Sequence, residues 1–382
     1  MRIGFDLLFL IPGETGGRET YSRELIPALL NADASLQPVA FTSSDGGSEW
    51  ARQHGLSTVT LPVSIRRPDR WAIGELLQLP VAGRRAGIEL MHSLANFGPA
   101  AGPFARVLTL HDLQWRAVPE LLPRPRRLAT GALVRAAVRG ADRVITVSDA
   151  SRRSIISELT VSPSRVDAIP NGTTQPGALA PEAEVRARFA LSHRPLLLSV
   201  ATALAHKNLS GLLEAFSLIE QSRRPLLALV GAGTDSPEIH EQATALSVQE
   251  DVRLLGFQTP DVLERLYELA MGVVVPTLYE GFGLPVAEAL ARATPVACSD
   301  LEVLRELAGD TVLYFNPQRP QAIADAMLGL IENRAEAESL ALAGRSRVAS
   351  LSWDAAARAT LDSYRRALSA RRAPRAVRAA HQ

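Results

Sequence analysis

Lysine is almost missing from this chain. Of 41 basic residues among 382, Lys207 is the only lysine, and the rest are arginine. A GC-rich coding sequence explains why lysine is rare. It does not explain why the survivor sits in His206-Lys207-Asn208, just past a run that reads as a buried strand. Arginine is a planar fork and lysine a compact point charge on a flexible stem, so a retained lysine points to a place where the fork does not fit. Cysteine is as scarce. Cys298 stands alone, which excludes an internal disulfide and any cysteine-built metal cluster and fits a reducing compartment. Aromatic residues make up 5% of the chain. No apolar run reaches the length of a membrane helix, and Asp6 interrupts the one near the start, so no secretory leader is read there. The expected location is cytoplasmic, at most peripheral at the inner face of a membrane. The net charge of +1 argues against a dedicated nucleic-acid binder. Asp-x-Asp, Walker A, His-Glu-x-x-His and Gly-x-Ser-x-Gly strings are all missing, so the sequence offers no signature of a metal-held diphosphate and no metal ligands are assigned.

What is present is length and alternation. A chain of 382 residues, 47% of them apolar, suits two domains of ordinary size. Charge is unevenly spread: +4 over residues 1–175, −8 over 176–352 and +5 over 353–382. Strand-like stretches at 2–11, 37–42, 89–93, 106–111 and 143–147 alternate with helical spacing at 19–30, 126–139 and 151–158. The pattern stops near Ile169-Pro170-Asn171-Gly172, and a Thr-, Pro- and Gly-rich stretch over 172–184 reads as a linker. Alternation resumes with strands at 195–200, 225–230, 252–255, 272–275 and 295–298 and helices at 209–219, 261–271 and 285–293. Three more helices, 321–333, 335–350 and 355–370, precede a basic tail from Arg371. Such alternation means parallel sheets covered by helices. The expected fold class is therefore α/β, with two Rossmann-like, doubly wound parallel-sheet domains (1–175 and 186–352) facing each other across a cleft. Ligands of such folds sit at the carboxyl ends of the strands.

The strongest local signal is Glu280-Gly281-Phe282-Gly283-Leu284-Pro285-Val286-Ala287-Glu288. It follows a strand and opens a helix with a proline in its first turn. The amides at Gly283 and Leu284 can receive an anion, and a carboxylate lies on either side. That suits a ligand with phosphate in the middle and hydroxyls at both ends, a sugar nucleotide; the plainer alternative is two solvated glutamates on a surface helix. Lys207 would neutralise a diphosphate leaving group, while His206 is either a second cation or a helix cap. Thr202 and the tight turns Val230-Gly231-Ala232-Gly233 and Gly256-Phe257 line the same strand ends. Without a third glycine the Gly-x-Gly string is no dinucleotide fingerprint. In the first half, Gly16-Gly17 sits on the first strand-to-helix turn and His111 ends a strand. Arginines cluster at 66, 67 and 70, at 124, 126 and 127, and at 135 and 139, either as a patch for anionic lipid or a diphosphate-linked acceptor, or as solvated surface.

These strings together resemble glycosyltransferase family 4, retaining enzymes of the GT-B fold, over nearly the whole length. Besides Glu280 and Glu288 in the E-x7-E arrangement, the resemblance is carried by Gly16-Gly17, Thr109-Leu110-His111-Asp112, Val147-Ser148, Ile169-Pro170-Asn171-Gly172, His206-Lys207-Asn208 and Leu254-Leu255-Gly256-Phe257. It implies a nucleotide-sugar donor held mainly by the C-terminal domain and a saccharide or polyprenyl-diphosphate-linked acceptor on the N-terminal one. Lys207 and the amides near Gly283 and Leu284 would hold the diphosphate, Glu288 the ribose and Glu280 the donor sugar. His111 would contact the sugar, Gly17 approach the diphosphate, the Gly256-Phe257 turn lie near the base, and the last helix, with Trp353, return to the first domain. Many members carry arginine where this chain has His206, which leaves the second cation open. The resemblance points towards mannosyltransferases and GDP-mannose, with UDP-hexose as the alternative donor and no resident cofactor or metal. Other readings are an epimerase or phosphorylase of similar build, or an inactive scaffold.

Overall fold

A computed structural model describes residues 1–119, 123–174 and 176–372. The chain divides into two compact units, one of Met1–Gly172 joined by the segment from Leu351, the other of Thr173–Ser350. The basic tail expected beyond Arg371 falls largely outside the described residues; the last helix runs on to Arg372.

The first unit is built on seven strands: β1 (Arg2–Leu7), β2 (Gln37–Thr42), β3 (Ser57–Thr60), β4 (Leu90–Ser93), β5 (Ala105–Thr109), β6 (Arg143–Thr146) and β7 (Val166–Ala168). They pair in parallel in the order β3-β2-β1-β4-β5-β6-β7, with Phe5 opposite Ala40 on one side and His92 on the other. The second unit has six: β8 (Leu196–Val200), β9 (Leu226–Val230), β10 (Val252–Gly256), β11 (Gly272–Val275), β12 (Val296–Ser299) and β13 (Leu313–Phe315). These are also parallel, in the order β10-β9-β8-β11-β12-β13. Parallel sheets are covered on both faces, so their strands are apolar without alternation. Leu226–Val230 and Gly272–Val275 are buried throughout. Leu213 and Phe216 of helix Leu209–Ser217 are fully buried in the core of the second unit, each stabilising it by about 1.5–3 kcal/mol.

Both strand orders reverse once, between β1 and β4 and between β8 and β11. At such a switch point neighbouring strand ends diverge and open a crevice at their carboxyl edge. That topology, more than any single motif, decides which side chains meet.

Some sequence boundaries shift. The strand expected over 2–11 stops at Leu7. Leu8–Ile11 is buried, yet it forms a turn in which the Leu10 amide donates to the Leu7 carbonyl at 3.1 Å, because an apolar run reports burial and not extended pairing. The short strands β3, β7 and β13 escaped notice; Ser57–Thr60 is half exposed and carries only one aliphatic residue. The stretch over 172–184 is not all linker, since a helix begins at Glu182. Helices at Pro68–Arg85 and Pro237–Ala245 were also missed.

The last helix, Trp353–Arg372, belongs to the first unit. Tyr364 places its hydroxyl 2.7 Å from His92 Nδ1, and Ser363 donates to Asp167 at 2.7 Å. Gly172 is required where this segment re-enters, because a Cβ there would lie 2.2 Å from the Trp353 amide nitrogen.

The first unit also buries two carboxyl groups side by side. Asp6 at the end of β1 and Glu75 in a π-helical turn (Gly74–Gln78) are 2% and 4% exposed. Burial raises Asp6 to about 6 even though it shares hydrogen bonds with Glu75, Ser93 and the Leu8 amide; burial and the neighbouring Asp6 push Glu75 well up. Glu75 is therefore the proton donor of the pair. Because both folded-state values lie above the unfolded ones, the folded state holds more protons, and its stability falls as pH rises through and beyond 6. Glu75→Gln keeps a donor to Asp6 and removes the titration of Glu75. It is expected to raise the melting temperature by a few degrees at pH 8.5, where ~1 kcal/mol corresponds to about 2–4 °C for a unit of this size, and to change it little at pH 5. A melting series from pH 5 to 9 checks this.

Candidate functional site

In the second unit the switch point lies between β8 and β11, and the segments leaving these two strands carry Lys207 and Glu280. Lys207 closes a 3-10 turn, Ala205–Lys207. Asn208 follows at φ 57°, and its amide group donates to the carbonyls of Pro276 at 3.1 Å and Pro317 at 2.9 Å. The His206 carbonyl accepts from the Leu278 amide at 2.7 Å and the Thr277 hydroxyl at 3.0 Å. These bonds tie the exits of the two strands together. The result is a Lys207 Nζ to Glu280 Oε1 contact of 2.5 Å, with the side chains 19% and 13% exposed. Sequence reasoning gave these two residues separate partners; the fold pairs them with each other.

Helix Leu284–Ala291 starts beside them. Its N-cap is Gly283 at φ 99°, with no side-chain cap and with Pro285 in the first turn. A Cβ at Gly283 would meet Leu304 at 2.5 Å, so only glycine fits. The helix thus presents backbone N–H groups uncapped by any side chain close to the residue that carries the ammonium's partner, an arrangement suited to an anion. Glu288 lies one turn further in, half buried, and accepts a hydrogen bond from the Tyr267 hydroxyl at 2.9 Å.

The remaining assignments on this unit fall on neighbouring strand ends. Gly231 (φ 136°) and Gly233 (φ 80°) follow β9, and Gly256 (φ 63°) ends β10. The Gly231 amide donates to the Gly256 carbonyl at 2.8 Å, and the Ala203 amide to the Ala232 carbonyl at 2.9 Å. This brings the turn at Thr202 next to the two glycines. Phe257 is 62% exposed, an isolated large apolar side chain at the mouth of these turns. His206, left open between a second cation and a helix cap, is buried at 7% exposure.

On the first unit, Gly16 (φ 58°) caps the 16-residue helix that begins at Gly17. His111 lies at the exit of β5, 9% exposed. Its Nε2 is 2.8 Å from the Leu94 carbonyl, its backbone amide donates to Asn96, and Tyr21 packs edge-on at 4.8 Å. A carbonyl only accepts, so Nε2 carries the proton. Burial lowers the imidazole to about 4, with the Arg18 guanidinium adding to the shift. His111 is thus neutral at physiological pH, with Nδ1 as its remaining polar atom. Within the arginine clusters, Arg66 bonds Glu14 at 2.7 Å, Arg127 donates to the Pro119 carbonyl at 3.2 Å and Arg135 stacks on Trp115 at 5.2 Å.

Three residues that sequence reasoning did not single out lie around Glu288: Tyr267, Glu264 and Arg292. Arg292 lies one turn beyond Glu288 on the same face, a signal available in the sequence. Tyr267 and Glu264 come from another helix, Pro260–Leu269, which only the fold brings near. Among the described residues no group of His, Cys, Asp and Glu is arranged to hold a metal ion, and no helix is long and apolar enough to cross a membrane.

Two known sequence families match the chain. Residues 15–174 match the Glycosyltransferase Family 4 sequence family, and residues 182–347 match Glycosyl transferases group 1. The chain belongs to the GT-B glycosyltransferases. It is 28% identical over 271 residues to O-antigen chain mannosyltransferase B of Escherichia coli, covering 68% of this chain and 70% of that one. It is 32% identical to D-inositol 3-phosphate glycosyltransferase of Frankia alni, covering 61% and 60%. For several of the curated relatives the chain spans between half and two thirds of their length. The structure of Anabaena Alr3699/HepE in complex with UDP-glucose matches with a TM-score of 0.76 at 18% identity, over 95% of this chain and all of that one. At that identity the likeness concerns the fold alone.

Proposed function

We propose that this glycosyltransferase moves a hexose from a nucleotide-sugar donor to a saccharide or lipid-linked glycan acceptor with retention of anomeric configuration, and that the sugar is mannose carried on GDP. The observation that carries the reading is the Lys207–Glu280 pair beside the uncapped start of helix Leu284–Ala291: one cation, one anion seat and one carboxylate at two neighbouring strand exits. In this reading Lys207 releases Glu280 when the donor binds and takes up the diphosphate, together with the Gly283 and Leu284 amides. Glu280 then serves the hydroxyls of the transferred sugar, Glu288 the ribose and exposed Phe257 the base. The bond from the anomeric carbon to the diphosphate oxygen breaks first. The acceptor hydroxyl adds to the same face, and its proton passes to the departing phosphate. No side chain is required as nucleophile, and electrostatic stabilisation of the leaving group carries the rate.

Mannose is supported by the E. coli relative, named for mannosyl transfer. The second reading, a UDP-hexose donor, is supported by the UDP-glucose held by the Anabaena protein. A melting-temperature panel with GDP, UDP, dTDP and ADP separates them, since a ligand that binds only the folded state raises the transition by mass action. GDP is expected to give the largest shift; a larger shift with UDP selects the alternative, and no shift with any nucleotide overturns the reading. Transfer is expected to persist in EDTA, and the anomeric coupling of the first-formed product, read by proton NMR, is expected to match the donor's.

The acceptor reading includes contact with an anionic bilayer. It is supported by exposed Ile73, Leu77 and Val81 at four-residue spacing on the helical run Pro68–Arg85, flanked by Arg66, Arg70, Arg84 and Arg85. Such a stripe adds apolar burial to charge attraction. Co-sedimentation with phosphatidylglycerol vesicles, lost in 0.5 M salt or on Leu77→Glu, is the expected result.

A further inference from the structure

The turn that leaves β9 is locked onto the exit of β10. The Thr234 hydroxyl donates to the Gly231 carbonyl at 3.0 Å and accepts from the Gly256 amide at 3.1 Å. The Ser236 amide donates to the Gly233 carbonyl at 3.1 Å. Asp235 lies between these two anchored residues and is exposed. Its carboxylate rests over Gly256: a Cβ added to that glycine would meet Asp235 Oδ2 at 2.6 Å and Oδ1 at 3.1 Å. Glycine at 256 is thus what lets both oxygens come so near the strand exit. Among the described residues no hydrogen bond or ion pair engages this carboxylate. The residue that follows Gly256 is Phe257, whose ring is 62% exposed.

An ionised carboxylate only accepts hydrogen bonds, and its two oxygens match two parallel donors. Beside an exposed aromatic ring, that suits a flat heterocycle with two N–H groups along one edge. Guanine has such an edge, N1–H next to the 2-amino group. Uracil offers one N3–H between two carbonyl oxygens, and adenine sets its 6-amino group beside a bare N1. Either would turn lone pairs towards the carboxylate, which selects against them.

We infer that Asp235 is the specificity-determining residue for the donor's base, accepting from N1–H and the 2-amino group of guanine while the base lies against Phe257. The inference rests on the reading of the Gly256-Phe257 turn as the base seat. It adds that the choice between a GDP and a UDP donor is made by one carboxylate on the neighbouring strand exit.

The test is calorimetric binding of GDP, IDP (which lacks the 2-amino group) and UDP to the wild-type enzyme, Asp235→Asn and Phe257→Ala. Wild type is expected to bind GDP about tenfold more tightly than IDP, the loss of one hydrogen bond to a charged group. Asp235→Asn places an amide N–H where guanine also donates. It is expected to weaken GDP by about tenfold or more, to close the gap between GDP and IDP, and to leave UDP and the melting temperature unchanged. In turnover, KM for a guanine-linked donor rises while kcat stays nearly constant. An unchanged GDP-to-IDP ratio in Asp235→Asn, or equal weakening of all three ligands, overturns the inference. If Phe257→Ala meanwhile weakens all three, the base seat stands and only the role of Asp235 is lost. If Phe257→Ala binds all three like wild type, or wild type binds UDP more tightly than GDP, the underlying reading is wrong and the inference falls with it.

Discussion

Lys207→Ala is expected to lower kcat by about 10²–10³-fold, the range found when one preorganised donor to a developing negative charge is removed. The side chain is a single point charge, 2.5 Å from Glu280 and 19% exposed. In the proposed mechanism, departure of the diphosphate builds negative charge that this ammonium stabilises. Because the charge acts there on the leaving group, the loss should fall on kcat more than on donor binding. The fold should survive, because Asn208 and the His206 carbonyl, not Lys207, tie the two strand exits together. Lys207→Arg is the finer measurement. The longer fork keeps the charge but not the geometry, and an activity near that of the alanine variant would explain why the chain keeps one lysine. Full activity of Lys207→Ala would remove the centre of the proposed mechanism. Since His111 is already neutral above about pH 4, no limb of the pH–rate profile between 5 and 9 should trace to it; a limb abolished by His111→Asn would contradict that.

Gly231→Ala is expected to be the most damaging methyl group that can be added near this site. At φ 136° the backbone lies where side chains are not tolerated, and the new Cβ would sit 2.1 Å from the Ala201 carbonyl oxygen and 3.3 Å from the Thr202 amide nitrogen. Both are backbone atoms of the neighbouring strand exit, so relief requires moving the turn that carries Thr202. Backbone strain and overpacking together amount to about 3 kcal/mol or more, which corresponds to a fall of roughly 10 °C in the melting temperature of this unit. Gly177→Ala is the control: nothing lies within 4 Å of its added Cβ, and a change within about 0.5 kcal/mol is expected. Equal melting temperatures for the two variants would show that the turn yields, contrary to the tight packing on which the site's geometry depends.

The sequence was informative where one physical signal dominates. Strands such as Gly272–Val275 were legible because parallel, doubly covered strands must be apolar without interruption, and Gly283-Leu284-Pro285 was legible because a helix start has its own chemistry. Edge strands were not. Ser57–Thr60 is half exposed, so no run of apolar residues marks it. Leu8–Ile11 misled in the opposite sense, being apolar because it is buried, yet turned rather than extended.

By itself, then, the sequence determined the class of architecture, the two-unit division of labour in charge, and the identity of the helix start with its glutamates at 280 and 288, because these rest on local composition and spacing. The tertiary structure alone decided partnerships. It placed Lys207 against Glu280 because β8 and β11 are neighbours across the strand-order reversal, 73 residues apart in sequence. It set the proton of His111 by aiming Nε2 at the Leu94 carbonyl, and it brought Tyr267 to Glu288 from a separate helix. Hydrogen bonds and burial depend on distance in space, and distance in space between remote residues is set by the order in which strands join a sheet, which no local stretch of sequence encodes.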